Sequence, residues 1–212
     1  MMIDLIDIIL HIDKYLNLII TNYGTLTYLL LFFVIFMETA FVFTPFLPGD
    51  SLLFASGAFA AAGSLNIFLI FIIFSAASVL GDTVNYWIGN YFGERIFSTK
   101  LVNEKYYEKT KDFYKKYGNK TILLARFVPI IRTFAPFIAG IGKMDYFKFL
   151  SFNVIGGVLW VLLFTLAGYF FGSMSIVKEN FSIVIIAIIL ISFIPVITEY
   201  IKHKSTSARP AK

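Results

Sequence analysis

Two arginines and several prolines stand where an apolar chain should carry neither. In "ARFVPIIRTFAP" (125–136), Arg126 and Arg132 lie on either side of Pro129, with Pro136 four residues beyond the second arginine. Earlier, "METAFVFTPFLPGDS" (37–51) carries Glu38 and Asp50 on either side of a tip built from Pro45, Pro48 and Gly49. A guanidinium offers fixed charge and a planar fork of donors, suited to phosphate or to a carboxylate. Six residues along an unbroken helix would separate the arginines by about 240°. A break at Pro129 lets both point into one cavity, because proline removes a donor and disturbs the helical ladder. The same reasoning marks Pro45, Pro48, Gly49 and Pro136 as breaks. Acid from the first stretch can then meet base from the second, either as a site or as structural ion pairs. Asp82 and Asn85, three apart on a helical pattern, share a face and either extend this polar path or hydrogen-bond between helices.

Other chemistries find no residues. Cysteine is absent, which excludes disulfides, thiolate catalysis and cysteine metal sites. His11 and His203 lie near opposite ends, read as surface residues, and leave a histidine-dependent lipid phosphatase without its nucleophile or base. No HExxH, P-loop or GxSxG pattern occurs. The expectation is a protein that is not an enzyme, with no metal, no cofactor and no nucleic-acid partner.

The elements that must position these residues belong in a membrane. With 58% hydrophobic residues, 15% charged residues and a mean hydropathy of +0.81, the 212-residue chain cannot be wrapped in a polar surface. The fold class expected is all-α and integral to the membrane. Residues 3–20 intersperse Asp4, Asp7, Asp13 and Lys14 among Ile and Leu and read as an interfacial amphipathic helix, within an N-terminal segment 1–22 that has no signal-peptide character. A single membrane domain follows over 23–201, and 202–212 is a polar tail. Its apolar blocks run over 24–63, interrupted at the proline-rich tip, then 65–92, 121–142, 146–171 and 181–201, the last two near the ~20 residues that cross hydrocarbon.

Basic residues orient the chain. Arg95, Lys100, Lys105, Lys109, Lys111, Lys115, Lys116 and Lys120 outnumber Glu94, Glu104, Glu108 and Asp112, which predicts that 94–120 is cytoplasmic, and Lys202, Lys204 and Arg209 put the C-terminus on the same side. An even number of crossings must separate the two. The spans at 146–171 and 181–201 supply two, so 121–142 enters and leaves by one face as a re-entrant hairpin. A central Arg costs ~2.5–3.5 kcal/mol on insertion scales, and broken backbone at depth is tolerated where protein encloses it or it lines a wet cavity. A shift of 84 residues lays "FTPFLPGDSLLFASG" (43–57) over "FVPIIRTFAPFIAGI" (127–141), matching Phe43, Pro45 and Ala55 with Phe127, Pro129 and Ala139. A shift of 79 lays "GNYFG" (89–93) over "GYFFG" (168–172). These glycine pairs suit close helix packing or a dimer interface. With one crossing between the first hairpin and the loop, the two copies, about 24–93 and 121–172, are opposed. The expectation is an inverted repeat with two re-entrant hairpins plus transmembrane helices.

The segments "ETAFVFTPFLPGDSLL", "GDTVNYWIGNYFG" and "ARFVPIIRTFAPFIAGIGKM" resemble the signature segments of the DedA family of small membrane proteins, whose eukaryotic relatives include lipid scramblases. The resemblance covers Glu38 to Gly172. It implies a functional acidic pair at Glu38 and Asp50, a functional arginine pair at Arg126 and Arg132, and a membrane lipid as substrate, in particular undecaprenyl phosphate returning to the cytoplasmic leaflet. Phosphatidylethanolamine movement, nonselective scrambling and proton-dependent homeostasis are the alternatives within the family, and a membrane scaffold or assembly factor is the alternative outside it. The arginines suit a phosphate clamp, and protonation of Glu38 or Asp50 would favour exchange. The oligomeric state is open.

Overall fold

The computed structural model describes residues 11–41, 49–98, 111, 114, 115, 117–188 and 190, and the regular elements among them are helical. In chain order they are α1 (Ile12–Tyr23), α2 (Leu26–Ala40), α3 (Gly49–Ala61), α4 (Ile67–Ser98), α5 (Thr121–Ala125), α6 (Pro129–Ile141), α7 (Tyr146–Phe171) and α8 (Ser175–Glu179), with a 3-10 turn at Gly118–Lys120 before α5. Residues 181–188 are again helical. Pro45, Pro48, residues 1–10, most of 94–120, all of 191–201 and the tail 202–212 lie outside the described residues.

Among the described residues two helices are long and apolar enough to cross a membrane: Ile67–Phe92 and Tyr146–Phe171, each 26 residues with mean hydropathies of 2.2 and 2.1. At ~1.5 Å per residue each reaches about 39 Å, more than the ~30 Å hydrocarbon core. Their outer faces expose Phe68, Ile72, Phe147, Leu163 and Phe170. Apolar surface of that extent needs lipid rather than water against it. The chain is therefore an all-helical membrane protein. Both long helices begin on a side-chain cap: Asn66 Oδ1 accepts from the Leu69 amide at 3.1 Å, and Asp145 Oδ1 accepts from the Lys148 amide at 3.0 Å. Such caps satisfy amides that have no partner in the first turn.

The short helices fill the space between the long ones. α2 packs on α4 and α5 on α7, while α3 packs on α7 and α6 on α4. Ten of the 13 residues of α3 are buried. Four glycines let these pairs touch backbone to backbone. A Cβ on Gly57 would strike the Thr165 carbonyl and one on Gly168 the Phe54 carbonyl, which joins α3 to α7. One on Gly89 would strike the Phe137 carbonyl and one on Gly140 the Tyr86 carbonyl, which joins α4 to α6. A shift of 83 takes Phe54 and Gly57 to Phe137 and Gly140; a shift of 79 takes Tyr86 and Gly89 to Thr165 and Gly168. The caps Asn66 and Asp145 are also 79 apart. α3 and α6 thus correspond one residue away from the shift of 84 that the letters suggest, because contacts between backbones, rather than matching side chains, set the register.

Pro136 is not a break. α6 runs through it from Pro129 to Ile141. Asn85 of α4 donates to the Thr133 carbonyl at 2.8 Å, in the turn whose bonding the proline disturbs, and the Tyr114 hydroxyl donates to the neighbouring Ala135 carbonyl at 2.9 Å. Side-chain donors from other elements are one way a proline is carried inside a membrane helix.

Candidate functional site

α2 ends two residues after Glu38, and α3 opens at Gly49 immediately before Asp50. The Glu38 carboxylate is fully buried and presses on Gly49 so closely that a Cβ there would overlap its Oε2. Asp50 occupies the first turn of α3, where the helix dipole favours an anion. Across from them, the chain leaves α5 at Ala125, Val128 is extended, and Pro129 opens α6 in the position where its missing amide costs nothing. That places Arg132 in the first turn of α6. Its Nη1 donates to Asp50 Oδ1 at 2.8 Å and its Nη2 to Glu38 Oε1 at 2.7 Å. One guanidinium fork thus joins two carboxylates from two helices, with only 5% of the arginine side chain exposed.

Trp160 of α7 completes this half of the site. Its Nε1 donates at 2.8 Å to the same Asp50 Oδ1, and the Arg132 guanidinium lies 4.9 Å from its ring centroid. Cation and ring attract through the ring quadrupole, more strongly where water is excluded.

Arg126, in the turn between α5 and α6, reaches a different acid. Its Nη1 donates to Ser78, and its Nη2 donates to Asp82 Oδ2 and to Asn153 Oδ1. The side chain crosses α7 at Gly156 and Gly157, whose missing side chains make the room. Its guanidinium is 6.0 Å from the Trp160 centroid. Asn153 in turn donates to the Val79 carbonyl at 3.1 Å, and Asn85 donates to Thr39 at 3.2 Å as well as to Thr133. Buried and without a hydrogen-bond partner among the described residues are Arg126 Nε, Arg132 Nε, Asp82 Oδ1 and Asn85 Oδ1.

Two buried cations and three carboxylates therefore form two ion-paired groups that share one indole. Removing one member of such a pair costs ~3–5 kcal/mol when its partner stays charged. The expected meeting of first-stretch acid with second-stretch base is present for Arg132. It is absent for Arg126, which pairs with Asp82 because Arg126 precedes the break at Pro129 and faces α4 and α7. Asp82 and Asn85 do share a buried face of α4, one in an ion pair and the other between backbones. Gly49 is the first described residue of α3, after α2 ends at Ala40 and Phe41 turns extended. Sequence reasoning missed Ser78, Asn153 and Trp160. An asparagine in a 26-residue apolar helix was a readable signal; the serine and the tryptophan look like ordinary packing. Among the described residues no group of three His, Cys, Asp or Glu is disposed to hold a metal ion.

The chain matches the VTT domain over residues 47–170. It is 51% identical over 213 residues to Protein DedA of Escherichia coli, across 98% of this chain and 97% of that one. It is also 42% identical over 167 residues to an uncharacterized membrane protein of Mycobacterium tuberculosis, covering 76% of this chain and 73% of the other. To the inner membrane protein YqjA of Escherichia coli it is 33% identical over 149 residues, covering 68% and 67%. No solved structure matches it.

Proposed function

This chain belongs to the DedA family of VTT-domain membrane proteins, and from that premise we propose that it is a transporter, not an enzyme, that carries an anionic lipid phosphate between leaflets, undecaprenyl phosphate being the carrier the family resemblance implies. The observation that carries the reading is Arg132 held between Glu38 and Asp50 at depth in an apolar protein. A phosphomonoester brings ~1.5–2 negative charges and oxygens that match a guanidinium fork. In the empty protein the carboxylates hold Arg132. An arriving phosphate competes for it, and a proton taken by Glu38 or Asp50 weakens that competition and couples exchange to protons. Arg126 is the second cation of the clamp, released from Asp82 in the same way. Only the head group needs the polar interior; the isoprenoid tail stays in lipid beside the apolar faces of α4 and α7.

Alternation between the leaflets follows from two opposed re-entrant hairpins, α2 with α3 and α5 with α6, the second helix of each closed against the long helix of the other half. The reciprocal glycine contacts support this inverted repeat. So does length: α2 and α3, at 15 and 13 residues, are each too short to span. In this topology 94–120 and the C-terminus are cytoplasmic. Reconstitution into liposomes tests the function. Labelled polyprenyl phosphate should exchange between leaflets with the wild type and fall to the protein-free rate with Arg132→Ala. Equal exchange of a phosphatidylethanolamine probe would instead identify a nonselective scramblase, and phosphate release would identify an enzyme.

A further inference from the structure

Asp50 Oδ1 is the meeting point of two donors from two different elements. Arg132 Nη1, from α6, and Trp160 Nε1, from α7, each lie 2.8 Å from it. The indole is fully buried. Nothing in the chemistry of an ion pair requires it, because a guanidinium joining two carboxylates already satisfies the charges. Nor is it a repeated packing element. The shift of 79 that relates Gly89 to Gly168 and Asn66 to Asp145 sets Trp160 against Gly81, where no side chain fits beside Thr39. The largest side chain of the site therefore occurs in one half only, with both guanidinium groups within 6.0 Å of its ring.

We infer that the position of Asp50 Oδ1 is a preformed station for one oxygen of an anionic head group, and that Trp160 is a binding residue whose indole N–H is the second donor to that oxygen. This rests on the transport reading above and assigns the residue that would make it selective. When the phosphate displaces Asp50, Arg132 Nη1 and Trp160 Nε1 are left converging on one point, a geometry present before the ligand arrives. Such preorganised donors need no rearrangement at the moment of exchange. Arg132 Nε, buried and without a hydrogen-bond partner among the described residues, is a further donor for a second oxygen. The ring meanwhile holds the guanidinium in place while its carboxylate partners change. A neutral head group offers no oxygen able to displace a carboxylate, and it would leave both donors on Asp50.

The chain has two tryptophans, and Trp87 lies in a separate aromatic group with Tyr86, Tyr91 and Tyr146. Trp87→Phe thus leaves Trp160 as the only indole. Titrating that variant with a polyprenyl monophosphate should move the indole emission saturably, while the polyprenol of equal length should leave it unchanged. In the exchange assay, Trp160→Phe keeps a ring for Arg132 and removes the donor. It should raise the apparent KM for the phosphate about ten- to a hundredfold, the range for losing a hydrogen bond to a charged group, with a smaller change in kcat. The fluorescence measurement keeps the test valid if Trp160→Phe fails to fold. An unchanged KM in Trp160→Phe, or emission unmoved at phosphate concentrations that saturate exchange, overturns the assignment and leaves the transport reading standing. Failure of the wild type to exchange the phosphate at all would remove both.

Discussion

Gly49 touches the Glu38 carboxylate where a side chain would begin, so a single methyl group tests the site without altering any charge. Gly49→Ala should push Glu38 away from Arg132 and lower lipid-phosphate exchange at least tenfold, while the protein still inserts; rates and yields in reconstituted vesicles read both. Arg126→Ala and Arg132→Ala should reduce exchange to background. The inserted fold should survive, because a buried carboxyl that loses its cation can take a proton rather than remain charged. Lysine at either position should restore little, since a point charge cannot join Glu38 to Asp50 or bind Ser78, Asp82 and Asn153 together. Full activity of both lysine variants would show that charge alone suffices. The ionisable members of this site were legible because charge within an apolar run is costly and conspicuous. Trp160 was not, because an indole inside an apolar helix gives no sign of which residue its N–H will meet.

The elements follow from a few local instructions. Asn66 and Asp145 start the two long helices as caps, and the apolar block read at 146–171 coincides with α7. Pro129 does begin a helix, as a break should, but Pro136 does not end one: α6 continues through it, with Asn85 donating to the Thr133 carbonyl and Tyr114 to the Ala135 carbonyl. Those donors come from elsewhere in the chain, and no local pattern could announce them. The correspondence between α3 and α6, and between α4 and α7, was legible only faintly for a similar reason: it is carried by glycines that meet carbonyls, which matching letters weigh poorly. Gly140 and Gly142 separate packing from turn propensity. A Cβ at Gly140 would overlap the Tyr86 carbonyl, whereas at Gly142 the nearest atom is 3.3 Å away. Gly140→Ala should cost about 1–3 kcal/mol, the usual penalty of overpacking, and Gly142→Ala much less. Thermal unfolding in detergent compares them, and equal effects would show that α4 and α6 do not depend on this contact.

At the scale of the whole molecule, the membrane setting was plain from composition, while sidedness rests on the basic residues of 94–120 and of the C-terminal tail. The absence of cysteine allows single-cysteine labelling without background. Cysteines at 46 or 47 should react with polar reagents from outside, and those at 108 and 204 from the cytoplasm. Labelling of 120 and 143 from opposite sides would make the second hairpin a span and remove the inverted repeat. The central claim, that buried arginines read a phosphate head group, is tested most directly by competition in the vesicle exchange assay. Unlabelled polyprenyl phosphate should suppress movement of the labelled lipid, the neutral polyprenol of equal chain length should not, and the difference should vanish in Arg132→Ala together with exchange itself. Equal suppression by the phosphate and the alcohol would contradict head-group recognition and leave a protein that holds only the tail.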